Sequence, residues 1–74
     1  MRTEMVVRGR RGRAWKEHFE TPVRFLPGQV ITTPRGTALV LRVEIRTVGE
    51  RTVQIVETVS RERLEARQRA ALGR

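Results

Sequence analysis

From Gln29 to Val59 the chain switches between short β-branched runs and tight turns. Gln29, Val30, Ile31, Thr32 and Thr33 predict a strand. A turn precedes them at Phe25-Leu26-Pro27-Gly28, and another follows at Pro34-Arg35-Gly36-Thr37, where Pro sets φ and Gly is free to take positive φ. From Ala38 to Thr47 the period is two. Leu39, Leu41, Val43 and Ile45 alternate with Val40, Arg42, Glu44 and Arg46, which predicts a half-buried strand with the first set inward. Val48-Gly49-Glu50 turns the chain again, and Thr52 to Val59 reads as a third strand, with Val53 and Ile55 on the face of Leu39 and Leu41. Glu57 falls on that same face, so either the strand ends there or a bulge intervenes.

The period then changes. Ser60 is placed to cap a helix, with Glu62 in its first turn, where the helix dipole favours an anion. Leu64, Gln68, Ala71 and Leu72 recur at helical spacing, Glu65 can pair with Arg69, and Gly73 is a C-terminal stop. The apolar stripe is thin, so this helix is expected to pack by its first turn only. Upstream, Thr3 to Val7 can form a short strand, while Arg8-Gly9-Arg10-Arg11-Gly12-Arg13 is low in complexity and expected to be flexible. Trp15, Phe19 and Phe25, the only aromatics, all precede the meander and are expected to close one end of it. The expected organisation is a basic, partly disordered arm over 1–16, a small β-barrel over 17–60 and a helix over 61–74.

The stretch Phe25 to Gly36, followed by Leu39-Val40-Leu41-Arg42-Val43-Glu44 and Val48-Gly49-Glu50, resembles SH3/Tudor-like small barrels. Among these it is most similar to the CarD-type RNA polymerase-interacting domains and, more distantly, to KOW-type barrels. The resemblance covers about residues 25–58. It implies a mainly β fold and, by analogy, an exposed edge strand that pairs with a partner's sheet. Here that strand is either Gln29 to Thr33 or Thr52 to Thr58.

Charge sharpens the picture. Residues 1–16 hold six basic groups against one acid, residues 17–60 hold five of each, and residues 61–74 hold five Arg against two Glu. The total is +8 with a pI of about 11.8, and a neutral scaffold with basic flanks points to a polyanionic partner. At 74 residues there is room for one small core. There are no cysteines, which excludes disulfides and thiolate metal sites and fits a reducing compartment. No apolar run approaches the ~20 residues that span a bilayer, and no apolar segment follows the charges of residues 1–13, so a cytoplasmic protein without a membrane partner is expected.

Arg8, Arg10, Arg11 and Arg13 alternate with glycines that let a backbone lie close to a groove wall, a pattern similar to AT-hook cores and Arg-Gly-rich RNA-binding tails. Lys16 continues this run, and Trp15 beside it can either stack on a base or belong to the core. Arg35 at a turn tip can reach a phosphate, and Arg61 and Arg63 begin a basic helical face continued by Arg67 and Arg69. His18 stands without a ligand set, Ser60 serves better as a cap than as a nucleophile, and Gly-rich phosphate loops are absent, so neither enzyme activity, cofactor nor metal is expected. The function expected is a small nucleic-acid-binding protein, for DNA or RNA, acting in transcription, DNA architecture or ribosome-related processes. The alternatives are an adaptor that pairs its edge strand with RNA polymerase or another protein, and an oligomeric or phage structural subunit.

Overall fold

A computed structural model describes residues 1–72, the side chain of Arg10 excepted; Gly73, the expected helix stop, lies outside the described residues. Five strands are followed by one helix: β1 Arg2–Arg8, β2 Ala14–Glu20, β3 Val30–Thr33, β4 Gly36–Val48, β5 Arg51–Ser60 and α1 Arg61–Leu72. They form a single sheet in the order β2-β1-β5-β4-β3, curled into a half-barrel. The antiparallel meander β3-β4-β5 is present as the turn chemistry requires. Gln29 N–H donates to Leu26 O at 3.1 Å around Pro27 and Gly28, whose φ of 88° makes this a type II turn.

The N-terminal residues are not a flexible arm. Arg2–Arg8 lies inside the sheet, antiparallel to β2 and parallel to β5. Thr3, Met5 and Val7 alternate with Glu4 and Val6, and that period of two lets the segment bury one face. Across the parallel ladder they meet Gln54, Val56 and Thr58, and all six are buried. The Gly9–Arg13 link between β1 and β2 is also ordered, with Gly9 N–H donating to Arg13 O at 2.7 Å around a 3-10 turn at Arg10–Gly12.

This arrangement overturns the expected inward face at Leu39, Leu41, Val53 and Ile55 and keeps it at Val43 and Ile45. The core is Met5, Val7, Ala38, Val40 and Val56, with Trp15, Phe25, Ile31 and Val43 packed against it. Leu41 is a bulge: Val40 pairs with Thr58 and Arg42 with Glu57, so the extra residue flips the alternation along β4. Before it Ala38 and Val40 face inward; after it Val43 does, opposite Val56, and Ile45 lies on the same side opposite Gln54 but is 45% exposed. Leu39, Val53, Ile55 and Glu57 share the outer face, where the Glu57 carboxylate needs no partner inside the barrel and β5 runs unbroken to Ser60. Replacing Val40 by Ala is therefore expected to lower stability by about 2 kcal/mol. Leu41→Ala, at a site 50% exposed, should change it by less than ~0.5 kcal/mol. Urea unfolding of the two variants checks the ranking, and a larger loss at Leu41 would restore the original face.

The buried Gln54 and Thr58 side chains are hydrogen-bonded. Gln54 Nε2 donates to Thr3 Oγ1 and Val23 O, both at 3.1 Å, and its Oε1 accepts from Phe25 N–H at 2.9 Å. Thr58 Oγ1 donates to Val6 O at 3.0 Å. Gln54 thereby ties the long β2–β3 connection across one end of the half-barrel. The aromatics do not gather at that end: Phe19 and Phe25 meet edge to face at 6.4 Å, whereas Trp15 lies beside Gly9 and Arg35.

Ser60 caps α1 as expected, its Oγ accepting from Arg63 N–H at 3.1 Å. The helix touches β4, β5 and the β1–β2 link, buries none of its residues fully, and leaves Leu72 85% exposed. The molecule is accordingly long, 51 × 19 × 19 Å, with a radius of gyration of 13.7 Å. A compact chain of this length would have about 11 Å. No described helix is long and apolar enough to cross a membrane.

Candidate nucleic-acid interface

Three separate segments deliver cations to one mouth of the half-barrel. The β1–β2 link brings Arg11 and Arg13, the β3–β4 turn brings Arg35, and the start of α1 brings Arg61. Together with Trp15 and Glu65 they line a cleft of about 750 Å³.

Each side chain is placed by local chemistry. Arg35 sits at the tip of a two-residue turn between Thr33 and Gly36; its N–H donates to Thr33 Oγ1 at 3.1 Å, that hydroxyl donates to Gly36 O at 2.8 Å, and Gly36 takes a φ of 108°. The guanidinium of Arg35 then lies 4.7 Å from the Trp15 ring centroid, a cation–π contact. Gly9 leaves room for the indole, since a Cβ there would stand 2.9 Å from a Trp15 ring carbon. Arg11 adopts φ 57°, ψ 37°, a left-handed conformation that costs a side-chain-bearing residue about 1–2 kcal/mol. The indole Nε1 of Trp15 is buried with no hydrogen-bond partner, another retained cost at the same place.

Charge in the cleft is unbalanced: Arg11, Arg13, Arg35 and Arg61 stand against Glu62 and Glu65, a surplus of two. Arg61 Nε pairs with Glu65 at 3.0 Å, and Arg69 approaches the same carboxylate at 4.0 Å. Arg11, Arg13 and Arg35 form no ion pair among the described residues. Arg63 turns the other way and donates to Gly9 O at 3.4 Å, holding the link against the helix.

The other expected site residues lie elsewhere. Arg8 ends β1 exposed and does not line the cleft, because its register opposite Ala14 and Val59 puts it on the outer face. Lys16 faces outward opposite Val6, 3.3 Å from Glu4, whose other oxygen is 3.8 Å from His18. The Arg10 side chain lies outside the described residues. On the outer face of β4, Arg46 grips Glu44 with hydrogen bonds of 3.0 and 3.3 Å, which hold the Glu44 carboxyl below its usual range. No group of three His, Cys, Asp or Glu among the described residues is arranged to hold a metal ion.

Sequence reasoning named the arginines but missed Gly9 and the pairing of Arg35 with Trp15, because twenty residues separate the partners and only the curl of the sheet joins them. A glycine flanked by arginines was the available signal, and low complexity masked it. Comparison with protein-family models, with curated proteins and with solved structures finds no match to this chain.

Proposed function

We propose that this protein binds nucleic acid through the arginine cleft, as a small basic half-barrel serving transcription, DNA architecture or ribosome-related processes. The observation that carries this is the convergence of Arg11, Arg13, Arg35 and Arg61 from three segments around Trp15. Like charges brought together repel, and a phosphate chain relieves that repulsion while releasing its own counterions. The net charge of +8 supports the same partner class, and the planar forks of Arg suit phosphate oxygens. Binding of labelled DNA and RNA, followed by anisotropy across a salt series, tests the proposal. Affinity is expected to fall steeply and linearly on a log–log plot. Absence of binding at low salt, or a flat response, would remove the function.

A second reading, the adaptor suggested by the resemblance to CarD-type domains, draws support from the sheet edges. Thr52 to Thr58 is excluded as the pairing strand, since β5 is flanked on both sides by β1 and β4. Gln29 to Thr33 remains, because Val30–Thr33 is an edge strand. Strand addition there predicts an association with RNA polymerase that survives high salt and is blocked by a proline in β3.

A further inference from the structure

Resting on the nucleic-acid reading, we infer that the cleft is built for a single strand, one base of which displaces Arg35 from the face of Trp15 while Arg35 moves to the phosphate. Trp15 is half-buried; it packs against the core cluster and also lines the cleft, where Arg35 covers its ring. A flat group that stacks on the ring face that Arg35 covers has to take its place.

Magnitudes favour the exchange. An exposed cation–π contact is worth roughly two- to five-fold in an equilibrium constant. A base stacked on an aromatic side chain contributes roughly five- to 150-fold. No ion pair among the described residues holds Arg35 back, and Arg11 and Arg13 line the same cleft, so the released guanidinium can join them on a phosphate of the strand. The cleft volume, about 750 Å³, falls within the ~300–1,000 Å³ of clefts that enclose small ligands.

Geometry selects the single strand. A duplex shows phosphates and base edges, but the base faces are stacked inside and reach a recessed ring only after unstacking. A single strand offers a free face at every nucleotide, and every base has one, so little sequence preference follows. The buried, unpartnered Nε1 fits a ring kept for its face.

The test uses the one tryptophan of the chain as its own reporter. The wild-type protein is titrated at low salt with an oligothymidylate, an oligouridylate and a mixed-sequence DNA duplex of equal length, reading both anisotropy and tryptophan emission. Both single strands are expected to quench Trp15 at saturation, and the duplex to bind more weakly with little quenching. Trp15→Leu, which keeps an apolar side chain against the core and removes the ring, should lower single-strand affinity at least five-fold with the salt slope unchanged. Arg35→Ala should keep the quenching and reduce the slope by about 0.7. Quenching by only one single strand would tell DNA from RNA at this site. Single-strand binding with full salt dependence but no change in emission, or equal quenching by the duplex, overturns the stacking inference and leaves the nucleic-acid function standing. Lack of binding by all three probes overturns both.

Discussion

Replacing Gln54 by Leu is expected to destabilise the protein by about 3–5 kcal/mol, although the two side chains have similar volume. Gln54 is completely buried and makes three hydrogen bonds, to Thr3, Val23 and Phe25. Leucine keeps the packing and removes all three. The Phe25 N–H, the Val23 carbonyl and the Thr3 hydroxyl then lose a buried partner, and each such loss costs about 1–3 kcal/mol when water cannot substitute. Some relaxation at the end of the barrel keeps the total below a simple sum. A chain of this length has a total stability of roughly 4–11 kcal/mol, so the variant should unfold with a midpoint lower by 15 °C or more, or be unfolded at 37 °C. Thr58→Val provides the comparison. It removes one bond, to Val6 O, and should cost only about 1 kcal/mol. Thermal unfolding followed by circular dichroism measures both. If Gln54→Leu is as stable as the parent, the β2–β3 connection is held by Phe25 packing instead, and the polar tie is incidental.

Gln54 also explains why part of the fold escaped a reading of pattern alone. The turns at Pro27-Gly28, Pro34-Gly36 and Gly49 and the cap at Ser60 were legible, since each is set by residues within four positions of one another. The inward face was not. Period-two reading assigns the apolar set of β4 and β5 to the core, but Gln54 and Thr58 face inward because their hydrogen bonds run to Phe25, Val23, Thr3 and Val6, twenty-nine to fifty-two positions away. A single bulge at Leu41 then interchanges the faces of β4 halfway along. Neither the parallel pairing of β1 with β5 nor the strand over Ala14–Glu20 has a local signature, because Trp15, Glu17 and Phe19 put a carboxylate between two aromatics on the inward side. The short strand over residues 3–7 was legible, its inward positions Thr3, Met5 and Val7 being uncharged, but the basic residues around it hid its place between β2 and β5.

The candidate site follows the same division. Arginine content and its segregation were visible directly, and Arg11, Arg13, Arg35 and Arg61 do meet. Which arginines meet was not visible, because a curled sheet decides it. Arg8 and Lys16 are close in sequence to Arg11 and Arg13 yet lie on the outer face, where strand register puts them opposite Ala14 and Val6.

That division sets the second large effect. The variant Arg11→Gly, Arg13→Ala, Arg35→Ala is expected to lose about 2.1 units of salt slope on single strands and about 2.7 on duplex DNA, from about 0.7 and 0.9 per phosphate contact. Between about 50 and about 200 mM salt, those three contacts alone account for a roughly twenty-fold fall in single-strand affinity, which the variant should no longer show. Arg61 is left in place because it holds Glu65 at 3.0 Å, and its removal would free a carboxylate beside the cleft. Glycine is chosen at position 11 because it relieves the left-handed backbone at φ 57° while removing the cation. Arg13 and Arg35 are exposed, so the fold should survive, with only the cation–π contact of about 0.5–1 kcal/mol lost. Two double variants serve as controls. Arg42→Ala with Arg46→Ala removes outer-face cations, one of them already engaged by Glu44, and Arg8→Ala with Lys16→Ala removes two more, one paired with Glu4. Both controls should change the slope by less than one unit. A triple variant with the parent's slope, beside an Arg8/Lys16 variant that has lost it, would move the nucleic acid from the cleft to the outer face of β1 and β2.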